Sequence, residues 1–225
     1  MTEKKEVSRV KVTTEAIKES YGKISKFYAM LEGIAEKALR KKGLKLLAIQ
    51  EGEIVLEIGF GTGFTLCELA KSVGETGKAY GIDITPQMAE ITRKRLEKKA
   101  LIDRAEIYEE DTRNMPFDDS LFDAVYTAST LELFDTPEIA KVLKEIKRVL
   151  KPGGRLCVVS ISKEGHENSF FLRFYEWLHK KIPKYVSCRP IYLEDSIRET
   201  GYKIVKTEEF MLARLMPERI VVARP

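Results

Sequence analysis

The sequence predicts an α/β fold with a doubly wound sheet. Short apolar runs bounded by turn residues alternate along the chain with segments of helical periodicity. A glycine-rich turn from Gly59 to Gly63 follows the first apolar run, Ile54 to Ile58, and an acid, Asp83, follows the second. Strands covered by helices on both faces form such a sheet, and its ligands meet the carboxyl ends of the strands.

The individual elements follow from periodicity and turn residues. Residues 1–14 are charged and aperiodic, so we expect a loosely attached start. Apolar residues from Ile24 onward recur on one helical face, and Gly43 predicts the end of that helix. Thr85-Pro86 and Thr136-Pro137 are each typical of a helix start. The other elements expected, in chain order, are a helix from Phe64, strands at 78–82, 105–109, 122–126 and 155–161, a helix at 193–200, and strands at 203–209 and 218–224.

The glycine turn has the features of a cofactor-binding loop. Glu57 lies at the carboxyl end of the first strand, where ligands meet an open sheet. Glycines at 59, 61 and 63 allow a tight turn and a close approach of the backbone to a ligand. The spacing is not a dinucleotide fingerprint, whose third glycine would fall at Phe64, and no Gly-Lys-Ser/Thr follows as in a P-loop.

Asp83 adds a second indication of a nucleoside-containing cofactor. It ends the second predicted strand, 20 residues beyond Gly63. A carboxylate there can accept hydrogen bonds from both ribose hydroxyls. The acid alone suits a nicotinamide cofactor as well as any other cofactor that contains adenosine.

Together with E-x-G-x-G-x-G at 57–63, this acid resembles the pattern of the class I S-adenosylmethionine-dependent methyltransferases. Residues 108–117 are similar to the end of that family's third strand, with Asp111 at its acidic position. Residues 117–126 resemble the family's "PF-D-FD-V" fourth strand, and 150–156 its "LKPGG" turn before the fifth.

Within that class, the sequence resembles the branch of ubiquinone/menaquinone-biosynthesis C-methyltransferases and their relatives acting on small molecules. The segment Tyr21 to Tyr28 is similar to that branch's Y-x-x-x-A-x-x-Y pattern. Ser25 stands where alanine is usual, and the aspartate that commonly follows the second tyrosine is missing. The resemblance covers residues 20–160 and continues more weakly to the carboxyl terminus.

The resemblance implies a Rossmann-like methyltransferase fold: a seven-stranded, mostly parallel sheet with an antiparallel last strand. It implies S-adenosylmethionine as cofactor and S-adenosylhomocysteine as product. It also implies a set of cofactor-binding residues: Glu57 and the backbone of Gly59, Phe60, Gly61 and Gly63 at the methionine end, Asp83 at the ribose, Ile84 and Met88 on the adenine faces, Asp111 and Thr112 at the adenine edge, Thr127 and Ala128 along the methionine chain, and Tyr21 and Tyr28 as candidates for its carboxylate. From spacing alone, core packing remains open for Ile84, Met88 and the two tyrosines.

Residues 163–190 interrupt the alternation of strands and helices. Aromatic residues and one leucine fall there at helical spacing beside Trp177, the only tryptophan: Phe170, Phe171, Phe174, Tyr175 and Leu178. The segment resembles a helical lid over the substrate, and the alternative is a helix that packs its aromatic stripe on the body. We therefore expect one domain over 1–225: an N-terminal helical arm (1–50), a cofactor-binding core (51–162), the lid (163–190), and a C-terminal helix and strands (191–225).

The sequence assigns no catalytic residue. Methyl transfer from a sulfonium is an in-line displacement, so the protein mainly aligns donor and acceptor and excludes water. His166 and Glu132 are weak candidates for a general base, and His179 lies in the same segment as His166; a structural role is the alternative for each. With two histidines and no Cys/His cluster, no metal site is expected.

Composition limits the partners. The net charge of +4 is spread along helices rather than gathered in one patch, so no nucleic acid is expected as a partner. There is no apolar run of membrane-spanning length and no leader, which predicts a cytoplasmic protein for which only peripheral membrane contact is conceivable. Three cysteines form neither a disulfide framework nor a metal-spaced pair. The oligomeric state does not follow from the sequence.

The leading functional hypothesis is a methyltransferase for a small acceptor of aromatic or lipid-like kind. Residues 127–130 lack the Asp/Asn-Pro-Pro-aromatic motif of nucleic-acid aminomethylases, although an RNA or nucleoside methyltransferase remains an alternative. A non-catalytic module that binds S-adenosylmethionine is a second alternative, and a nicotinamide-dependent oxidoreductase, which would need the third glycine, is a third.

Overall fold

The strands and helices alternate as predicted. The structure, a computed structural model, describes residues 34–182, 186–212 and 215–225. Its elements in chain order are α1 (Ile34–Leu47), β1 (Ile54–Ile58), α2 (Phe64–Ser72), β2 (Lys78–Ile82), α3 (Pro86–Lys98), β3 (Ala105–Tyr108), β4 (Phe122–Ala128), α4 (Thr136–Val149), β5 (Leu150–Ile161), α5 (Phe170–Lys181), α6 (Leu193–Glu199), β6 (Lys203–Leu212) and β7 (Met216–Arg224).

The strands form one seven-stranded sheet in the order β3-β2-β1-β4-β5-β7-β6. Strands β1 to β5 run parallel to one another, and β7 is antiparallel to both β5 and β6. The chain reverses direction across the sheet between β1 and β4, where an open α/β sheet leaves a crevice for ligands. The predicted fold class, including the antiparallel last strand, is confirmed.

The hydrophobic core lies on both faces of the sheet because side chains alternate along each strand. Leu56 and Val125 belong to one buried cluster, which includes the apolar face of α4. Their neighbours Val55 and Tyr126 belong to the other, which is built with α1, α2 and α3. Central strands buried on both faces hold rigid carboxyl ends, and these ends position the site.

Two local predictions were wrong. Helix α1 does not end at Gly43 but continues to Leu47. A Cβ at Gly43 would lie 3.1 Å from the Tyr126 ring and 3.2 Å from Val159, so this glycine lets the helix approach the sheet. The LKPGG segment does not precede β5 but lies inside it: Leu150 pairs with Phe122, and after a register shift Arg155 pairs with Ala124.

Helix α5 forms in the interrupted segment, and its predicted stripe is divided: Phe171, Tyr175 and Leu178 are half-buried, whereas the other aromatic residues face outward. Leu172 and His179 are buried, whereas Phe170, Phe174 and Trp177 are exposed. Among the residues that the structure describes, no helix is long and apolar enough to cross a membrane. The predicted arm before Ile34, including Tyr21 and Tyr28, lies outside the described residues.

Candidate functional site

The glycine loop between β1 and α2 turns sharply at the carboxyl end of β1. Gly59, Gly61 and Gly63 all have positive φ angles, of 70°, 49° and 77°. A Cβ at Gly59 would lie 2.2 Å from the Thr130 hydroxyl, so only glycine lets the loop pass over the end of β4. A Cβ at Gly61 would meet nothing within 4 Å, and this part of the backbone is open to a ligand.

Asp83 joins this loop to the turn after β2. Its carboxylate accepts hydrogen bonds from the Gly61 amide at 3.0 Å and from the Thr85 amide at 2.9 Å. The Thr92 hydroxyl donates to the Gly61 carbonyl at 2.9 Å and fixes the loop from α3. Burial raises the pKa of Asp83, while the amide donors oppose that rise.

A third group of charges lies after β3. The Arg113 guanidinium binds both oxygens of Asp111, at 3.0 Å through Nε and 2.5 Å through Nη2, and it also pairs with Glu138 of α4. Burial tends to raise the pKa of Asp111, but the hydrogen bonds from Arg113 outweigh it and hold that pKa below its ordinary value. Asp111 is therefore ionised and fixed in direction, with Arg113 beside it.

These groups surround one cavity of about 230 Å³ at the carboxyl edge of the sheet. Ten of the residues predicted to bind a cofactor line it: Glu57, Gly59, Phe60, Gly61, Asp83, Ile84, Met88, Asp111, Thr112 and Ala128. Glu57 is buried at the floor, where β1 ends. Three predicted carboxylates, those of Glu57, Asp83 and Asp111, thus line the cavity together with apolar residues such as Ile84 and Met88, which suits a ligand with both a polar nucleoside and an aliphatic part.

Two predicted residues do not line the cavity. A Cβ at Gly63 would lie 2.4 Å from the side chain of Thr92, so this glycine permits close packing of α2 against α3. Thr127 is fully buried within β4 and does not line the cavity. Its neighbour Ala128 does line it. Alternation along a strand explains the difference between these neighbours.

The candidate bases also lie away from the cavity lining. His166 Nε2 is 3.0 Å from a carboxylate oxygen of Glu209 in β6. Glu132 is fully buried and accepts a hydrogen bond from the Ser160 hydroxyl at 2.9 Å. Burial raises the pKa of Glu132 to about 7, against the opposing effects of Ser160 and the Arg189 charge. His179 is buried with Nδ1 2.7 Å from the Val186 carbonyl oxygen. A structural role fits each of these positions.

The cavity also has walls that sequence patterns did not indicate. Arg40 of α1 lies over the Phe64 ring at 5.4 Å, and Arg95 lies over the same ring at 3.3 Å. The additional lining residues are Leu39, Arg40, Thr62, Phe64, Thr65, Ile82, Thr85, Glu110, Arg113, Ser129, Thr130, Leu133, Phe134, Asp135, Glu138 and Val159. The lining residues after β4 could have been predicted, because they follow the carboxyl end of a central strand. Arg40 belongs to no recognisable motif, so no sequence pattern indicated it.

The sheet order, the glycine loop and the acids at the carboxyl ends of β1, β2 and β3 define a nucleoside-binding protein of the Rossmann-like class. Comparison with known proteins agrees: residues 55–154 match the family described as "Methyltransferase domain". With the methyltransferase relatives described next, this match makes the chain an S-adenosylmethionine-dependent methyltransferase.

Two curated relatives and one solved structure are methyltransferases similar to this chain. The chain is 29% identical to a demethylmenaquinone methyltransferase of Lactococcus lactis subsp. lactis (strain IL1403), over 90% of this chain and 88% of that protein. It is 32% identical to a demethylmenaquinone methyltransferase of Staphylococcus aureus (strain JH9), over 68% of this chain and 63% of that protein. In structure it is similar to a SAM-dependent methyltransferase from Aquifex aeolicus, with a TM-score of 0.65, 24% identity, and coverage of 88% and 97% of the two chains.

The residues present fit S-adenosylmethionine. The open backbone at Gly61 leaves room for a ligand where any side chain would project, and Asp83 offers an acceptor at the rim of that opening. Met88 and Ile84 provide apolar surface beside it. This combination of a glycine cradle, a carboxylate and apolar faces is what a ribose and an adenine require.

Proposed function

We propose that the chain transfers a methyl group to a ring carbon of a quinol that carries an apolar tail. The similarity to demethylmenaquinone methyltransferases across 90% of the chain carries this proposal. The acceptor ring would gain the methyl group, lose a proton from the same carbon to solvent, and leave S-adenosylhomocysteine as the second product.

Particular residues are proposed to hold the cofactor. Asp83 would accept hydrogen bonds from the ribose hydroxyls, Glu57 and the amides of 59–61 would bind the methionine end, and Asp111 would accept from the adenine amino group. When bound, S-adenosylmethionine supplies an electrophilic methyl group on a sulfonium. Because that group is already a good electrophile, the chain's task is alignment and exclusion of water.

The acceptor is proposed to enter beside the residues that follow β4. Leu133 and Phe134 give the cavity an apolar and aromatic surface there, and Thr130 and Asp135 place polar groups beside it. A flat ring can pack against Phe134 while its hydroxyls reach polar groups such as Thr130. An aromatic ring beside hydrogen-bonding groups suits a quinol, which has a flat ring and hydroxyls.

Two measurements test the proposal. Thermal unfolding of the purified chain is followed with S-adenosylhomocysteine, with NAD and with buffer, because a ligand that binds only the native state raises the midpoint. We expect a rise with S-adenosylhomocysteine alone, and its loss in Asp83→Ala. Turnover is then measured with a short-tailed demethylmenaquinol, with a nucleoside and with RNA, by release of S-adenosylhomocysteine.

The outcomes separate the alternatives. Turnover of the quinol alone supports the proposal. Turnover of RNA or a nucleoside in place of the quinol would overturn the acceptor. Cofactor binding without turnover of any of them would instead favour a non-catalytic binding module.

A further inference from the structure

Helix α5 presents its aromatic face to solvent. Phe170, Phe174 and Trp177 are 85%, 46% and 52% exposed, and they recur at the spacing of one helical face. The Phe174 and Trp177 rings stack with centroids 5.8 Å apart. Exposed apolar side chains grouped in this way mark an interaction surface more often than isolated ones do.

The helix is anchored so that this face cannot turn inward. Its opposite face buries Leu172 and His179, and the His179 ring bonds to the Val186 carbonyl at 2.7 Å. Lys163 binds Glu176 at 2.8 Å, with both side chains largely buried. The outward direction of the aromatic residues is therefore a consequence of packing on the other side of the helix.

The outward face is also basic. Arg173, Lys180 and Lys181 are exposed on α5, and the helix's one acid, Glu176, is turned inward to Lys163. Within the described parts of the chain, none of these three cations pairs with a carboxylate. The face therefore combines aromatic rings with uncompensated positive charge.

A second exposed apolar group lies at the same edge of the sheet. Met211 and Leu215, near the turn between β6 and β7, are 39% and 55% exposed. Ile161 at the carboxyl end of β5 pairs with Glu218 of β7, and Leu212 of β6 pairs with Met216 of β7, so the strand ends beside Met211 and Leu215 lie at the carboxyl end of β5. The cavity opens at the carboxyl ends of β1, β2 and β4, which is the same edge.

We propose that the outward face of α5, together with the exposed side chains of Met211 and Leu215, docks on the surface of an anionic lipid bilayer. Tryptophan and phenylalanine favour the boundary between headgroups and acyl chains, while lysine and arginine bind lipid phosphates. A protein partner fits less well, because lysine is depleted from the centre of protein interfaces. Docking explains why large aromatic residues and cations share a face that the body leaves uncovered.

The consequence for catalysis rests on the proposed function. A quinol with a long apolar tail partitions into the bilayer, so an enzyme that must reach its ring gains by placing the mouth of its cavity at the lipid surface. The docking itself is a property of α5 and is measured without any acceptor.

The protein carries its own probe for this surface, because Trp177 is the only tryptophan. The full chain is titrated with vesicles of phosphatidylcholine and phosphatidylglycerol, and separately with phosphatidylcholine alone. We expect a blue shift of the emission and protection from acrylamide with the anionic vesicles, reduced by high salt. Gel filtration without lipid measures self-association, and a dimer that already protects Trp177 would overturn the proposal.

Matched variants locate the effect. Phe170→Ser with Phe174→Ser keeps the probe and removes two exposed rings, and Arg173→Glu, Lys180→Glu and Lys181→Glu together reverse the charge. The control reverses three exposed lysines elsewhere, Lys37→Glu, Lys98→Glu and Lys144→Glu, and has the same net charge as the α5 triple variant. We expect each α5 variant to weaken vesicle partitioning by about tenfold or more, and the control to weaken it far less.

Equal losses in the control and the α5 triple variant, or no spectral change with anionic vesicles, would overturn the proposal. Binding of S-adenosylhomocysteine, measured on every variant, verifies the fold. Vesicle binding that persists while the quinol is not turned over would refute the acceptor and leave the docking surface standing.

Discussion

Replacement of Glu132 by glutamine tests whether this buried acid is structural or catalytic. The Glu132 side chain is fully buried, and burial raises its pKa from 4.5 to about 7. The folded state therefore binds the proton more tightly than the unfolded state does. The free energy of unfolding must fall as pH rises from about 4.5 through about 7, the opposite of the usual behaviour of a paired carboxylate.

The size of the effect follows from the shift. At 1.36 kcal/mol per pKa unit, the change corresponds to about 3 kcal/mol of lost stability, most of it between pH 5 and pH 8. Glu132→Gln is neutral at every pH and can keep an acceptor for the Ser160 hydroxyl, which donates at 2.9 Å in the native protein. The variant should match the wild type at pH 5 and exceed its stability at pH 8.

The assay is urea unfolding of both proteins at pH 5 and pH 8, read by far-ultraviolet circular dichroism. The difference between the two proteins at each pH isolates Glu132 from other titrating groups. Cofactor affinity should not change, because Glu132 does not line the cavity. If both proteins lose the same stability between these pH values, the argument from burial is wrong; if turnover falls at unchanged stability, Glu132 has a catalytic role.

Three further predictions concern the cavity. Burial raises the pKa of Asp83, and only its carboxylate form accepts hydrogen bonds from both ribose hydroxyls. The affinity for S-adenosylhomocysteine should therefore decline on acidification, and at a higher pH than an ordinary aspartate would give. Calorimetry across pH should find this decline flattened in Asp83→Asn. Gly61→Ala and Gly153→Ala each place a side chain at positive φ with no atom within 4 Å, at a cost of about 1–2 kcal/mol by denaturant unfolding. Only the change at Gly61 should also weaken cofactor binding, and equal binding by both variants would remove Gly61 from the site. Arg113→Ala should raise the pKa of Asp111 and loosen its direction, lowering cofactor affinity in the same calorimetric titration with little change in the melting temperature; an unchanged affinity would contradict a positioning role.

Local sequence patterns predicted most of the fold because they record local chemistry. Thr85-Pro86 and Thr136-Pro137 marked the starts of α3 and α4, although no side-chain cap hydrogen bond from Thr85 forms, and Asp135 caps α4 instead. The end of α1 was missed because Gly43 serves packing against Tyr126, far away in sequence, rather than helix termination. In the sequence, a glycine needed for close packing against a distant residue looks the same as a glycine that ends a helix.

In the candidate site too, the sequence predicted residues with local motifs and missed contacts that depend on long-range packing. Residues that carry motif chemistry, such as Asp83 and Asp111, were identified, and both line the cavity. Gly63 was predicted as a cofactor contact but faces Thr92, because spacing along a loop does not tell which glycine meets a ligand and which meets a helix. Arg113 was missed because its bond to Asp111 and Glu138 depends on how α4 packs beside the loop after β3.

Asp83 connects the architecture of the site to its proposed chemistry. Each of its two oxygens accepts one backbone amide, from Gly61 and from Thr85, so the loop and the turn are held in place by the carboxylate itself. A carboxylate has about four acceptor positions, and those that remain can serve ribose hydroxyls without release of either amide. The loop is therefore ordered before a ligand arrives, and binding does not have to supply the entropy of ordering it. This arrangement also explains why the acid lies at the end of β2: the loop after the neighbouring strand β1 and the turn after β2 both donate to it, and a single side chain then couples sheet geometry to cofactor recognition.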